Sequence, residues 1–359
     1  MTDLATLVRD RRILICTGSG GVGKTTVAAV LAMRGAAAGR KAVVVTIDPA
    51  KRLADALGLE GLQNSPSRID GEWPGELWAM MLDTKSTFDS LVAKYAGTPE
   101  QAARIVDNPF YRNISGALSG TQEYMAMEKL YELYEETDFD LIVVDTPPTR
   151  NALDFLDAPQ RLTNFLDHRL YRILMAPTRG MMKAVNVATQ AFLRTVSKVV
   201  GGDVIDDAIA FFTAFEGMEE GFQRRAKRVA ELLTADETGF VLVASPRRDT
   251  VHEADFFARK LREGGLDVEA LVVNRMHPKW GDELAEATRA RADAFEGTDL
   301  GGLYANLADF QLTASREEAH LDGLTESTGD ADVIRVPMLE SDVHDLEGLD
   351  RLGDLMMGA

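Results

Sequence analysis

The stretch Thr17-Gly18-Ser19-Gly20-Gly21-Val22-Gly23-Lys24-Thr25-Thr26 has the residue types and the spacing to hold a polyphosphate. Gly18 to Thr25 reads G-x-x-x-x-G-K-T in full. Glycine adopts left-handed dihedrals freely, so successive backbone N–H groups of Gly20, Gly21, Val22 and Gly23 can turn toward one anion. A helix that begins near Lys24 and takes in Thr26 would add its unsatisfied N–H groups and the positive end of its dipole. Lys24 would reach the β- and γ-phosphates as a point charge, and the Thr25 hydroxyl would ligate Mg²⁺. The context fits: the apolar run Ile13-Leu14-Ile15-Cys16 comes before the loop and an amphipathic run from Val27 to Met33 after it. Strand, glycine-rich loop and helix in that order are what such a site requires.

Hydrolysis of a nucleoside triphosphate needs, besides the cradle, a metal and an acid that orients the attacking water. Two aspartates stand at the ends of β-branched runs. KAVVVTID ends in Asp48, followed by Pro49, and DLIVVDT carries Asp145, followed by Pro147 and Pro148. Such near-continuous apolar runs predict strands buried on both faces of a parallel sheet. Open α/β sheets bind ligands beyond the carboxyl ends of their strands. Asp145 after its apolar run matches the Walker B pattern and would hold Mg²⁺, directly or through water. Asp48 is the better placed of the two to polarise water.

The elements around these residues read as follows. Leu77 to Asp83 is a third strand, and helical patterns fill 84–137, clearest over Leu118 to Tyr134. From Asn151 to about Thr238 no strand signal occurs and the pattern is helical. Strands resume at Phe240 to Ser245, Val268 to Arg275 and Val333 to Pro337. A polar helix-forming stretch runs from Asp282 to Glu318, residues 322–332 read as a Gly- and Asp-rich loop, and a short acidic helix follows. Strands alternating with helices predict a doubly wound, mostly parallel α/β sheet of the P-loop NTPase kind with an inserted helical subdomain. The expected division is 1–150 and 239–359 as the two parts of the nucleotide-binding domain, with 151–238 as the helical subdomain. No internal duplication is found, so one nucleotide site is encoded.

The 359 residues carry 39 Lys and Arg against 57 Asp and Glu, a net charge of −18. That acidic balance argues against nucleic acid or an anionic membrane as partner. Cys16 is the single cysteine, so an intrachain disulfide is excluded and a reducing cytoplasm fits. The polar segment from Met1 to Arg12 has no apolar core of a signal peptide, and no run approaches the about 18 apolar residues that span a bilayer. His252, His277 and His344 lack metal-ligand spacing.

Taken together, GSGGVGKTT, TIDPAKRLADALG and DTPPTRNALDFL resemble the ArsA-type ATPases, which include the arsenite-pump and tail-anchored-protein targeting ATPases of the deviant Walker A class. The resemblance runs across most of the chain. It implies binding of ATP and ADP with Mg²⁺ and a nucleotide-gated dimer. It also implies a first switch containing Asp48 and a second switch beginning at Asp145 to Thr149. Asn274 matches the family's adenine-reading Asn, and the loop at Pro337 would pack near the base. The helical insertion corresponds to the region that builds an apolar client groove in targeting relatives. Met175, Met181, Met182, Met218, Phe211, Phe212 and Phe215 are its candidates here, with burial in a subdomain core as the alternative.

Three departures stand out. Ser19 occupies the place of the family's second lysine, which crosses the dimer to the partner's phosphates. Lys51 follows Ala50 where the family has His, and Arg150-Asn151 replace Gly-His. The zinc-binding C-x-x-C and the arsenite-sensing cysteines are absent, which excludes arsenite transport. Without the second lysine the chain is expected either as a homodimer with slow hydrolysis or as one half of a heterodimer with a lysine-bearing paralogue. Two repairs of the missing charge are expected as alternatives: Lys51 or Arg52 supplies it locally, or the paralogue's lysine supplies it in trans within the heterodimer. A partitioning-type ATPase fits less well, because a terminal basic amphipathic helix is lacking.

Overall fold

The computed structural model describes residues 3–47, 52–114, 121–147 and 202–358. These fall into two compact units, one drawn from Met1–Met81, Asp138–Leu153 and Asp236–Ala359, the other from Leu82–Thr137 and Asp154–Ala235.

The first unit is built on an eight-stranded sheet: β1 (Ile13–Gly18), β2 (Lys41–Thr46), β3 (Ser67–Ile69), β4 (Glu76–Met81), β5 (Leu141–Asp145), β6 (Thr238–Ala244), β7 (Val268–Met276) and β8 (Asp332–Pro337). Their order is β3-β4-β2-β5-β1-β6-β7-β8. Every pair is parallel except β3 with β4. Strands β2 and β5 lie on one side of β1 and β6 to β8 on the other, so the direction of winding reverses at β1. That is the switch point where α/β sheets open a crevice for ligands. The two runs read as strands buried on both faces are so: every residue of β5 is buried, and every residue of β2 but the half-buried Lys41; β1 and β6 are buried throughout as well. One face packs against the helix Lys24–Ala37, whose Val27, Val30 and Leu31 are buried with Leu14, Val143 and Val241.

Some elements differ from the sequence reading. The strand expected over Leu77 to Asp83 ends at Met81, because Asp83 leaves it to cap the helix Thr84–Tyr95, its carboxylate accepting from Ser86 N at 2.6 Å. Residues 322–332 are not a loop throughout. The helix Asp299–Thr328 runs on, burying Leu321, Leu324 and Thr328 at helical spacing, and stops at Gly329 with φ 64°. The polar amino-terminal segment contains a helix, Leu4–Asp10, that buries Leu4, Leu7 and Val8.

The second unit is helical in its described residues, from Thr84–Tyr95 to Thr121–Glu136 and again over Gly202–Phe215 and Glu219–Leu233. Phe211, Phe212 and Phe215 do not line an exposed groove: they are only 5 to 6% exposed. Phe211 packs against Phe110 and Tyr111, and Phe215 against Phe222. Apolar residues at helical spacing have closed on each other, which removes more surface from water than a groove would. Met218 is buried as well; Met175, Met181 and Met182 lie outside the described residues.

This core also holds a buried ion pair, Arg225 Nε with Glu128, and the Tyr124 hydroxyl donates to the same carboxylate. Burial pushes the Glu128 carboxyl above its ordinary range, while the Arg225 charge and the Tyr124 hydrogen bond draw it back. A carboxyl with raised proton affinity binds more protons folded than unfolded, so its contribution to stability falls as pH rises through the raised range. Arg225→Met, which removes the buried cation and leaves Glu128 with the Tyr124 hydroxyl, should cost about 3–5 kcal/mol at neutral pH. The loss should shrink as acid protonates Glu128; urea unfolding at a series of pH values measures both, and a loss independent of pH contradicts the assignment.

Candidate functional site

The residues expected to act on a phosphate converge at the carboxyl ends of β1, β2, β5 and β7, all within the first unit. Parallel pairing sets Cys16 of β1 opposite Asp145 of β5, and Thr46 of β2 opposite Asp145 on its other side. The Asp145 carboxylate is 1% exposed, and one oxygen, Oδ2, accepts from the hydroxyls of both Thr25 and Thr46 at 2.8 Å. Thr25 lies in the first turn of Lys24–Ala37, so this bond ties the start of the helix to two strands. The site fits a Mg²⁺ ion by donor chemistry: a hydroxyl and a carboxylate meet, both hard oxygen donors, with no nitrogen or sulfur ligand between them. Among the described residues no cluster of three or more His, Cys, Asp or Glu could hold a metal by itself.

The loop from Gly18 to Lys24 is shaped as a cradle. Gly18, Gly21 and Gly23 all have positive φ, at 148°, 76° and 98°. A Cβ on Gly18 would stand 2.1 Å from the Val243 carbonyl oxygen, and one on Gly23 would stand 2.3 Å from the Asn274 amide nitrogen. At these two positions the fold demands glycine for space as well as for dihedrals. Gly23 is the N-cap of the helix and offers no side chain to its first N–H groups, which leaves them for an anion. Lys24 is buried, and its Nζ donates to the Ser19 carbonyl at 2.8 Å, lying across the loop. Gly20 and Gly21 are exposed, Val22 is buried and Thr26 is half-buried.

Asn274 stands at the end of β7 and donates from Nδ2 to the Val22 carbonyl at 2.9 Å, bridging residues 252 positions apart. Pro337 ends β8 in register with Met276, so it reaches the same edge of the sheet as Asn274. Ser19 is 4% exposed, and its hydroxyl finds no partner among the described residues. Burial pushes the Cys16 thiol up, the neighbouring Asp145 charge adding to the effect, so the thiol beneath the loop stays protonated. Asp48, Lys51, Thr149, Arg150 and Asn151 lie outside the described residues; Arg52 begins the short helix Arg52–Ala56. His277 pairs through Nδ1 with Glu317 at 2.6 Å. Sequence reasoning missed two groups. Thr46 contacts the carboxylate of Asp145, and its place one strand over could have been read from the run KAVVVT. Arg275 Nη1 donates to the Gly21 carbonyl at 3.2 Å, for which the sequence carries no signal.

The chain is 23% identical over 348 residues to the ATPase get3 of Aspergillus terreus, covering 96% of this chain and 90% of that protein. It is 24% identical over 342 residues to the ATPase GET3 of Paracoccidioides lutzii, covering 95% and 88%. The family model for anion-transporting ATPases of the ArsA type matches residues 11–296, which takes in the phosphate loop, Asp145 and Asn274. The chain belongs to the ArsA-type ATPase family.

Proposed function

We propose that this protein binds ATP with Mg²⁺ and hydrolyses it, and that nucleotide opens and closes a dimer. The observation that carries the reading is the 2.8 Å contact of Thr25 with Asp145 beside a glycine cradle that begins a helix, at the switch point of the sheet. In this reading Lys24 leaves the Ser19 carbonyl for the β- and γ-phosphate oxygens. Thr25 and Asp145 would hold Mg²⁺, which would supply positive charge to the phosphate site. Asp48 orients the attacking water, and Asn274 pairs with N6 and N1 of adenine while Pro337 packs near the base. Ile47, the residue before Asp48 in the sequence, donates its N–H to the Asp145 carbonyl at 3.1 Å.

A client-carrying role is the further part of this proposal. The resemblance to targeting ATPases supports it, and a reducing cytoplasm suits the single buried cysteine. The buried phenylalanines of the second unit take no part. Among the described residues no helix is long and apolar enough to cross a membrane.

One observation favours a second reading, a slow subunit that works with a lysine-bearing paralogue. Ser19 is buried and neutral, so it cannot present charge to a neighbouring subunit.

Three measurements test these readings. Lys24→Ala should abolish ATP binding in calorimetry while the far-UV spectrum stays native; unchanged affinity would falsify the assignment of the loop. Asp48→Asn should keep ATP bound and lower turnover by about 10²-fold or more. If its turnover equals that of the natural chain, water is oriented by another group. Steady-state turnover of the chain alone, with a paralogue, and as Ser19→Lys separates the two dimers. Fast turnover alone, unchanged by Ser19→Lys, removes the case for a heterodimer; a rise of about 10³-fold with the paralogue supports it.

A further inference from the structure

Arg275 is the one non-glycine residue with positive φ, 64°, among the described residues. An L-residue in that region carries a Cβ too close to its own backbone oxygen, and such strain persists where the surroundings hold it for a purpose. It sits near the end of β7, where the pairing with β8 slips between Val273 and Met276. In a regular strand neighbouring side chains point to opposite faces. Here the irregularity breaks the alternation, and two consecutive side chains reach the same loop. Asn274 Nδ2 donates to the Val22 carbonyl at 2.9 Å, and Arg275 Nη1 donates to the Gly21 carbonyl at 3.2 Å. The strained residue is itself held: its backbone N–H donates to Asn274 Oδ1 at 2.9 Å.

The consequence follows from peptide planarity. In a trans peptide the carbonyl of one residue and the N–H of the next point in opposite directions. A side chain that holds the Gly21 carbonyl therefore turns the Val22 N–H away from itself. Asn274 on the Val22 carbonyl does the same for the Gly23 N–H, and Lys24 on the Ser19 carbonyl, at 2.8 Å, does so for the Gly20 N–H. Around Gly21 the loop has little else to brace it: a Cβ there would meet nothing within 4 Å. We infer that Arg275 is a positioning residue for polyphosphate binding. Its hydrogen bond to the Gly21 carbonyl fixes the donor direction of the cradle before nucleotide arrives, and the backbone strain at Arg275 is the cost of aiming it. The inference rests on the proposed ATP site.

The test is calorimetric ATP affinity of the full chain with Mg²⁺, for the natural protein, Lys24→Ala, Arg275→Met, Arg275→Gln and Arg275→Gly. Methionine keeps length without a donor, whereas glutamine keeps a neutral donor. Arg275→Met is expected to weaken ATP by about tenfold or more, the scale of one hydrogen bond from a charged group, with Arg275→Gln within about threefold of the natural chain. Arg275→Gly should weaken ATP as methionine does, yet leave the nucleotide-free melting temperature unchanged or higher, because glycine relieves the positive φ. Equal weakening by methionine and glutamine would mean that charge alone matters and would overturn the inference. So would an affinity for Arg275→Met within about threefold of the natural chain, or a loss of affinity that tracks a lowered melting temperature. If the natural chain binds ATP and Lys24→Ala does not, any of these results counts against the role of Arg275 alone; if the natural chain binds none, the proposed function falls too.

Discussion

A buried carboxylate with two hydroxyls on one oxygen anchors the site. Asp145 is almost wholly out of water, and a charge so placed is costly unless hydrogen-bonded. Thr25 and Thr46 provide those bonds from two different elements. The arrangement exists only because β5 lies between β1 and β2 in a fixed parallel register. A slip of one residue would turn Asp145 to the opposite face and leave both threonines without it. That slip would break both hydrogen bonds and leave the charge buried without them, so the register of the sheet and the chemistry depend on the same residues.

The phosphate loop is held from the other direction by the end of β7. Lys24, Asn274 and Arg275 hold three carbonyls of the loop, those of Ser19, Val22 and Gly21. In the proposed reading Lys24 turns to the phosphates while Arg275 keeps the Gly21 carbonyl, so that part of the cradle is set in advance, and donors set in advance give more electrostatic stabilisation than donors that must turn. Asn274 has a double connection, because the amide that resembles an adenine reader also touches the loop. A nucleotide that takes the amide for its base would release the Val22 carbonyl, which links recognition of the base to the shape of the phosphate site.

Much of this was legible in the sequence, for physical reasons that differ by element. The phosphate loop, β1, β2 and β5 announce themselves because glycine spacing and two-sided burial leave little freedom in residue type. β3 has three residues, too few for a periodic signal, and depends on β4 for its existence. The helix over 299–328 passes through Gly323 because Leu321, Leu324 and Thr328 continue its buried stripe, a tertiary gain that overrides local propensity. The phenylalanines at 211, 212 and 215 have the same spacing whether they face a core or a groove, and only the packing against Phe110, Tyr111 and Phe222 decides. Arg275 is illegible in principle, since its role comes from a dihedral angle and from a loop some 250 positions away.

Cys16 lies in the central strand, fully buried, with its proton held by the surrounding apolar core and the Asp145 charge. It is the only thiol in the chain. Its side chain packs in the core shared with the helix Lys24–Ala37, so a thiol reagent meets it only when that helix lifts from the sheet or the sheet opens. Its labelling rate therefore reports how often the core beneath the phosphate loop opens. For the same reason a cysteine placed on the surface could take a fluorophore selectively, with the native thiol silent beneath the loop.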